Sequence, residues 1–240
     1  MDGNAMMSVQ KWCALFDWDG VVIDSSRLHE KSWEWMAREF DLPLPTGHFQ
    51  RGFGMKNERI IPEVLGWAQE RPRINDLAAK KEHRYRELVM EEGLNPLPGV
   101  VTWIERLYAA GIPCSIASST DRANIDCVLD QIGLRKYFAA IVSGDEVEHG
   151  KPAPDIFLKA ANKLGNLPAL VFEDALVGIE AAHRARMKVV AVTTTHPAKE
   201  LGAADHIVKR LDELTIAVAE SLAMASENSE RPRMNTNKNE

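Results

Sequence analysis

Short, wholly apolar runs alternate along the chain with longer segments of helical periodicity. Residues 12–16 are apolar throughout and stop abruptly at Asp17, as expected of a buried strand that delivers a polar residue to the edge of a sheet. Runs of the same kind occupy 113–117, 139–142, 169–172 and 188–192, with 205–208 a candidate sixth. Between them, helices are predicted over 100–110, 121–131, 154–164 and 176–186. The first carries Val100, Ile104 and Leu107 at helical spacing and is followed by Gly111 as a C-cap. Pro154 suits the first turn of the third, where its missing N–H is harmless. Strands alternating with helices of this length imply crossover units on a mainly parallel sheet.

One region breaks the rhythm. From about residue 26 to 95 no strand pattern is evident, while helical patterns recur at 28–40, 58–69 and 76–91. Seventy residues are too many for a simple connection. The fold class expected is therefore α/β: a three-layer Rossmann-like core built from 9–24 and 97–222, with a helical cap inserted at 25–96 and a disordered tail at 223–240. Ligands of parallel sheets bind beyond the carboxyl ends of the strands, so an insert leaving from one such end can close over a site. The stretch 51–57, with Gly52 and Gly54, reads either as a flexible tip dipping into that site or as a turn between cap helices.

Composition changes this picture little. The chain has 45% hydrophobic and 27% charged residues, ordinary for a folded protein with a substantial core. With a charge of -6 the chain has no global field to draw a nucleic acid, and no nucleic-acid partner is expected. No run reaches the roughly 20 apolar residues that cross a bilayer, and the opening stretch lacks a secretion pattern, so a cytoplasmic protein with no membrane partner is expected. Cys13, Cys114 and Cys127 lie in apolar surroundings and read as buried thiols.

Four segments could carry chemistry. In FDWDG, Asp17 and Asp19 follow the first strand, and Gly20 permits a sharp turn. An Asx-turn would explain Asp19-Gly20 but leaves Asp17 as an extra carboxylate at a buried strand end, which a Mg²⁺ ion would relieve. Glu173-Asp174 end another strand, either to start a helix or to complete the same ion's shell from the same sheet edge. Ser118, Ser119 and Thr120 stand between a strand and a helix, where hydroxyls and free N–H groups either cap the helix or bind an anion. Lys151, between Gly150 and Pro152, reads as a point charge for a phosphate or as a solvated surface lysine.

These motifs, in this order and spanning residues 11–222, resemble the haloacid dehalogenase superfamily, in its phosphatase and β-phosphoglucomutase-like branch with a small helical cap. The resemblance implies Asp17 as nucleophile and Asp19 as general acid and base, with Ser118 and Lys151 holding the phosphoryl oxygens. It implies Mg²⁺ held by Asp17, the Asp19 backbone carbonyl and Asp174, with Glu173 nearby. Substrate contacts are expected from Gly20, His29, Gly54, Asn57, Lys81 and Ser119. Asp24 and Trp33 also match the mutase-like pattern. Two departures stand against a mutase: Asn57 replaces a cap-loop arginine and Asp121 a lysine after the serine motif. Hydrolysis of a small phosphomonoester, a sugar phosphate being one candidate, by a monomeric protein is thus expected ahead of phosphosugar transfer or cleavage of another phosphorus bond. A non-catalytic binding role ranks last, because every motif side chain is present.

Overall fold

Along the first strand, side chains alternate strictly between two apolar layers, and this dictates the architecture. Ala14 and Phe16 belong to one buried cluster, Cys13 and Leu15 to the other. The computed structural model describes residues 12–52 and 55–225. Its sheet comprises β1 (Cys13–Phe16), β2 (Cys114–Ala117), β3 (Ala140–Val142), β4 (Ala169–Glu173), β5 (Lys188–Val192) and β6 (His206–Val208), in the order β3-β2-β1-β4-β5-β6. All of the pairings are parallel.

Helices cover both faces. The chain's helices, in order, are α1 (Ser26–Glu39), α2 (His48–Gly52), α3 (Asn57–Arg59), α4 (Arg71–Glu92), α5 (Val100–Ala109), α6 (Arg122–Ile132), α7 (Asp155–Lys163), α8 (Leu176–Arg184) and α9 (Ile216–Met224). Trp103 and Ile104 of α5, Val128 and Leu129 of α6, and Ala219 and Ala223 of α9 pack with Phe16 and Phe172. Phe157 and Ala160 of α7 and Ile179 and Ala182 of α8 pack with Leu15 and Val171. These are the three layers expected.

The elements α1 to α4 form the cap between β1 and β2, around a separate apolar cluster of Trp33, Met36, Ile60, Ile61, Leu65, Ile74 and Leu77. The two connecting strands run side by side: Ile23 bridges Pro96, and the N–H of Leu97 donates to the Val22 carbonyl at 2.9 Å. Tyr85, Leu88 and Val89 in the second half of α4 pack into the core cluster, seating the cap on the sheet's helices.

The elements differ from expectation mainly in the cap. The expected helix 58–69 is a short α3 running into a π-helical turn at Ile60–Leu65, closed by Gly66 in the left-handed region. Pro62, without an N–H, lies inside that turn, where the regular bonding ladder shifts. Helix α4 starts at Arg71, earlier than expected, because Pro72 fits a first turn instead of blocking it. The expected tail begins inside α9, and its remainder, 226–240, lies outside the described residues, as do residues 9–11. Among the described residues no helix is long and apolar enough to cross a membrane. Cys13, Cys114 and Cys127 form no disulfide among the described residues, and the first two are buried.

Candidate active site

Register brings the acidic motifs together. Phe16 of β1 lies opposite Phe172 of β4, so the next residues on the two strands, Asp17 and Glu173-Asp174, emerge side by side at the carboxyl edge. Asp17, Glu173 and Asp174 are buried, and each offers a carboxylate oxygen within 4.8 Å of the others. Lys151, also buried, reaches Asp17 Oδ1 at 2.7 Å and Glu173 Oε1 at 2.5 Å.

Three carboxylates are buried together and the Lys151 ammonium pairs with two of them, an imbalance that shows in Asp17 and Asp174. Burial pushes Asp17 up to about 7; Lys151 opposes the shift and Glu173 adds to it. Burial, then Glu173 and Asp17, hold Asp174 well above the usual carboxylate range. Burial works against the Lys151 charge, but Asp17 and Glu173 outweigh it and raise the lysine. Glu173 is the best satisfied, since its Oε2 accepts the N–H groups of Asp174 at 2.8 Å and Ala175 at 2.9 Å. Asp174 Oδ1 accepts no hydrogen bond among the described residues. An unpaired buried carboxylate is expensive, so this donor set fits a hard divalent cation, and Mg²⁺ takes such oxygen ligands.

Two glycines make the cluster possible. A methyl group at Gly20, whose φ is +82°, would collide with the Asp174 carboxylate, and one at Gly178 would collide with Glu173. Gly20, expected among the substrate contacts, therefore packs beneath Asp174 and does not line the cleft.

Asp19 is treated differently. The Ser25 hydroxyl donates to its Oδ1 and the Thr120 hydroxyl to its Oδ2, while His29 Nε2 lies 3.8 Å away. Against burial, His29 and the two hydroxyls hold Asp19 below the usual range. Ser118 is buried beside it, its hydroxyl accepting the Thr120 N–H at 3.2 Å.

The cap supplies the opposite wall of a cleft of about 880 Å³, lined by Asp17, Asp19, Ser118, Ser119, Lys151, Glu173 and Asp174 on the core side and His29, Trp33, Asn57 and Lys81 on the cap side. Gly54 lies outside the described residues, and Asp24 is exposed, accepting the Ser26 N–H at 3.1 Å. The Lys81 ammonium contacts Glu82 Oε1 at 2.8 Å and His29 Nδ1 at 2.7 Å. An ammonium only donates, so Nδ1 accepts and the imidazole proton sits on Nε2, toward Asp19. Glu82 also takes the side-chain amides of Asn57 at 2.6 Å and of Asn124, on core helix α6, at 2.5 Å. Burial notwithstanding, Lys81, His29 and Asn57 hold Glu82 down at about 2. A second cap-to-core tie runs from the Lys56 ammonium to the carbonyls of Gly144 at 2.6 Å and Val147 at 3.0 Å.

Sequence reasoning missed Ser25, Glu82 and Asn124. Glu82 and Asn124 meet from 42 positions apart, and Ser25 turns back on Asp19 with no local pattern to mark it. Thr120 carried a signal, standing within the Ser118 motif, but its bond to Asp19 was not foreseen.

Comparison with known proteins shows the family. Residues 13–186 match the family model described as haloacid dehalogenase-like hydrolase. A chloroplastic 5-amino-6-(5-phospho-D-ribitylamino)uracil phosphatase of Arabidopsis thaliana is 39% identical over 88% of this chain, which spans 57% of that relative's length. The fructose-1-phosphate phosphatase YqaB of Escherichia coli is 32% identical over 74% of this chain and 94% of its own. Among solved structures, a family IA, variant 3 HAD hydrolase from Entamoeba histolytica superposes with a TM-score of 0.80 at 29% identity, covering 88% of this chain and 99% of that one. The chain belongs to the haloacid dehalogenase-like hydrolase family, and carries a helical cap over its active-site edge.

Proposed function

We propose that this hydrolase is a Mg²⁺-dependent phosphatase of a small phosphomonoester, working through an aspartyl phosphate on Asp17. The observation that carries the reading is the clustering of Asp17, Glu173 and Asp174, the first two paired with the Lys151 ammonium, with Asp19 held by hydroxyls two residues from Asp17. Asp17 and Asp174, with the Asp19 carbonyl, would hold Mg²⁺. Glu173, already bound to Lys151 and two backbone N–H groups, stands behind them. When bound, the ion neutralises the carboxylate edge and the phosphoryl oxygens, so that one anion can approach another.

The chain's own groups perform the transfer. An Asp17 oxygen attacks phosphorus as the ester P–O bond breaks, and Asp19 gives a proton to the leaving oxygen. Lys151 and Ser118 hold the phosphoryl oxygens. Asp19 then takes a proton from water, whose oxygen attacks the aspartyl phosphate and releases phosphate, regenerating Asp17. The low carboxylate of Asp19 suits the second role in the free protein, and the first requires a proton to arrive with the substrate.

Water is favoured over a sugar hydroxyl as acceptor by the far wall of the cleft. A retained bisphosphate needs positive charge at its distal end, but the Asn57 amide is engaged by Glu82 and Asp121 brings another carboxylate. The phosphatases named above act on phosphorylated compounds bearing polyol or sugar groups, which supports a substrate of that size. The test is turnover of a chromogenic phosphomonoester with Mg²⁺ by wild type and Asp17→Asn. Equal rates would remove Asp17 as nucleophile, and isomerised product from a sugar phosphate without net phosphate release would favour the mutase.

A further inference from the structure

Asp174 is the most awkwardly placed of the clustered carboxylates: fully buried, with Oδ1 accepting no hydrogen bond among the described residues. Its other oxygen is held by a group from a different part of the chain. The Thr195 hydroxyl, in the loop after β5, lies 2.6 Å from Asp174 Oδ2 and 3.0 Å from the Asp174 backbone carbonyl. A threonine hydroxyl has a single proton to give. His196 Nδ1 lies 3.2 Å from the same carbonyl and 3.0 Å from the Thr195 oxygen. With the Nδ1–H tautomer serving the carbonyl, the threonine proton goes to Oδ2. Oδ2 also lies close against Gly20, where a methyl group would overlap it. Thr195 thus engages Oδ2, and Oδ1 is left as the oxygen without a hydrogen-bond partner among the described residues.

Thr195 and His196 are not among the residues that line the cleft. We propose that Thr195 is a positioning residue for the divalent-cation site: by occupying Asp174 Oδ2 it keeps Oδ1 open as the ligating oxygen. The proposal rests on the reading of Asp17 and Asp174 as cation ligands. The bond fixes the orientation of the carboxylate before the ion arrives. Arginine or lysine in place of the hydroxyl would compete with the ion; a neutral donor does not.

The experiment uses the full chain without substrate, with Mn²⁺ as the probe ion and free Mn²⁺ followed by electron paramagnetic resonance. Thr195→Val keeps the shape and removes the proton, and should bind Mn²⁺ about 10–100-fold more weakly, the usual effect of losing a group that orients a ligand. Thr195→Ser should restore affinity to near wild type, and turnover by the valine variant at saturating Mn²⁺ should approach the wild-type kcat. A Thr195→Ala variant reads the same affinity should the valine protein fail to fold. Valine and alanine variants binding within about twofold of wild type, where Asp174→Asn does not, would overturn the proposal while leaving the cation site standing. Wild type binding neither Mn²⁺ nor Mg²⁺ would overturn both.

Discussion

Two buried carboxylate neighbourhoods face each other across the cleft, and they are built on opposite principles. On the core side, Asp17, Glu173 and Asp174 cluster beside the Lys151 ammonium, which pairs with the first two, and Asp17 is driven up to about 7. On the cap side, Glu82 is almost as buried yet receives Lys81, Asn57 and Asn124, and is held at about 2. The first arrangement weakens the metal-free fold and leaves room for something to bind; the second is closed upon itself and strengthens the joint between cap and core. A buried charge with every partner supplied reads as structure, and one left short reads as a place for a ligand.

The contrast can be broken at several points. The largest effect expected is on activity: Asp17→Asn should lower kcat on a phosphomonoester by at least about a thousandfold, measured as phosphate release. Next, Glu82→Ala leaves Lys81 buried without its carboxylate and should destabilise the protein by about 3–5 kcal/mol in urea denaturation. Smaller and opposite in sign, Asp17→Asn should stabilise the metal-free protein by about 1–2 kcal/mol near pH 8, because it removes a buried charge short of partners.

Their pH dependences should also oppose. The folded Asp17 pKa is raised from 3.8 to about 7, so metal-free wild type loses stability as pH rises through that interval, a slope Asp17→Asn lacks. Glu82 is depressed from 4.5 to about 2; its contribution is present above 4.5 and lost as pH falls toward 2, a slope absent from Glu82→Gln. Melting temperatures across pH, compared variant by variant, check both. The smallest effect should come from Lys56→Ala, which removes two bonds to neutral carbonyls and should cost about 1 kcal/mol. It should raise KM more than it lowers kcat in steady-state assays.

The core was legible because its signals are local. An apolar run ending in an acid, as at Phe16-Asp17 and Phe172-Glu173, states both the strand and the edge at which its chemistry emerges. The cap was less so: the pattern ran one helix over 58–69 and started the next at 76, whereas Pro62 lies in a π-helical turn and Pro72 opens α4. The supporting residues were illegible for a different reason. Asn124 and Glu82 are 42 positions apart, and Thr195 follows Asp174 by 21. Such pairings exist only once the layers are stacked, and an isolated Asn, Glu or Thr carries no mark of them.

The paired linkers at Ile23 and Pro96 have a consequence of their own. Because the chain departs for the cap and comes back at adjoining positions, the cap is attached to the sheet at one doorway with its two ends in contact. Everything between those ends can be lengthened, shortened or exchanged without rethreading a single strand. The chemistry at the sheet's edge can thus be inherited intact while the choice of molecule brought to it is rewritten.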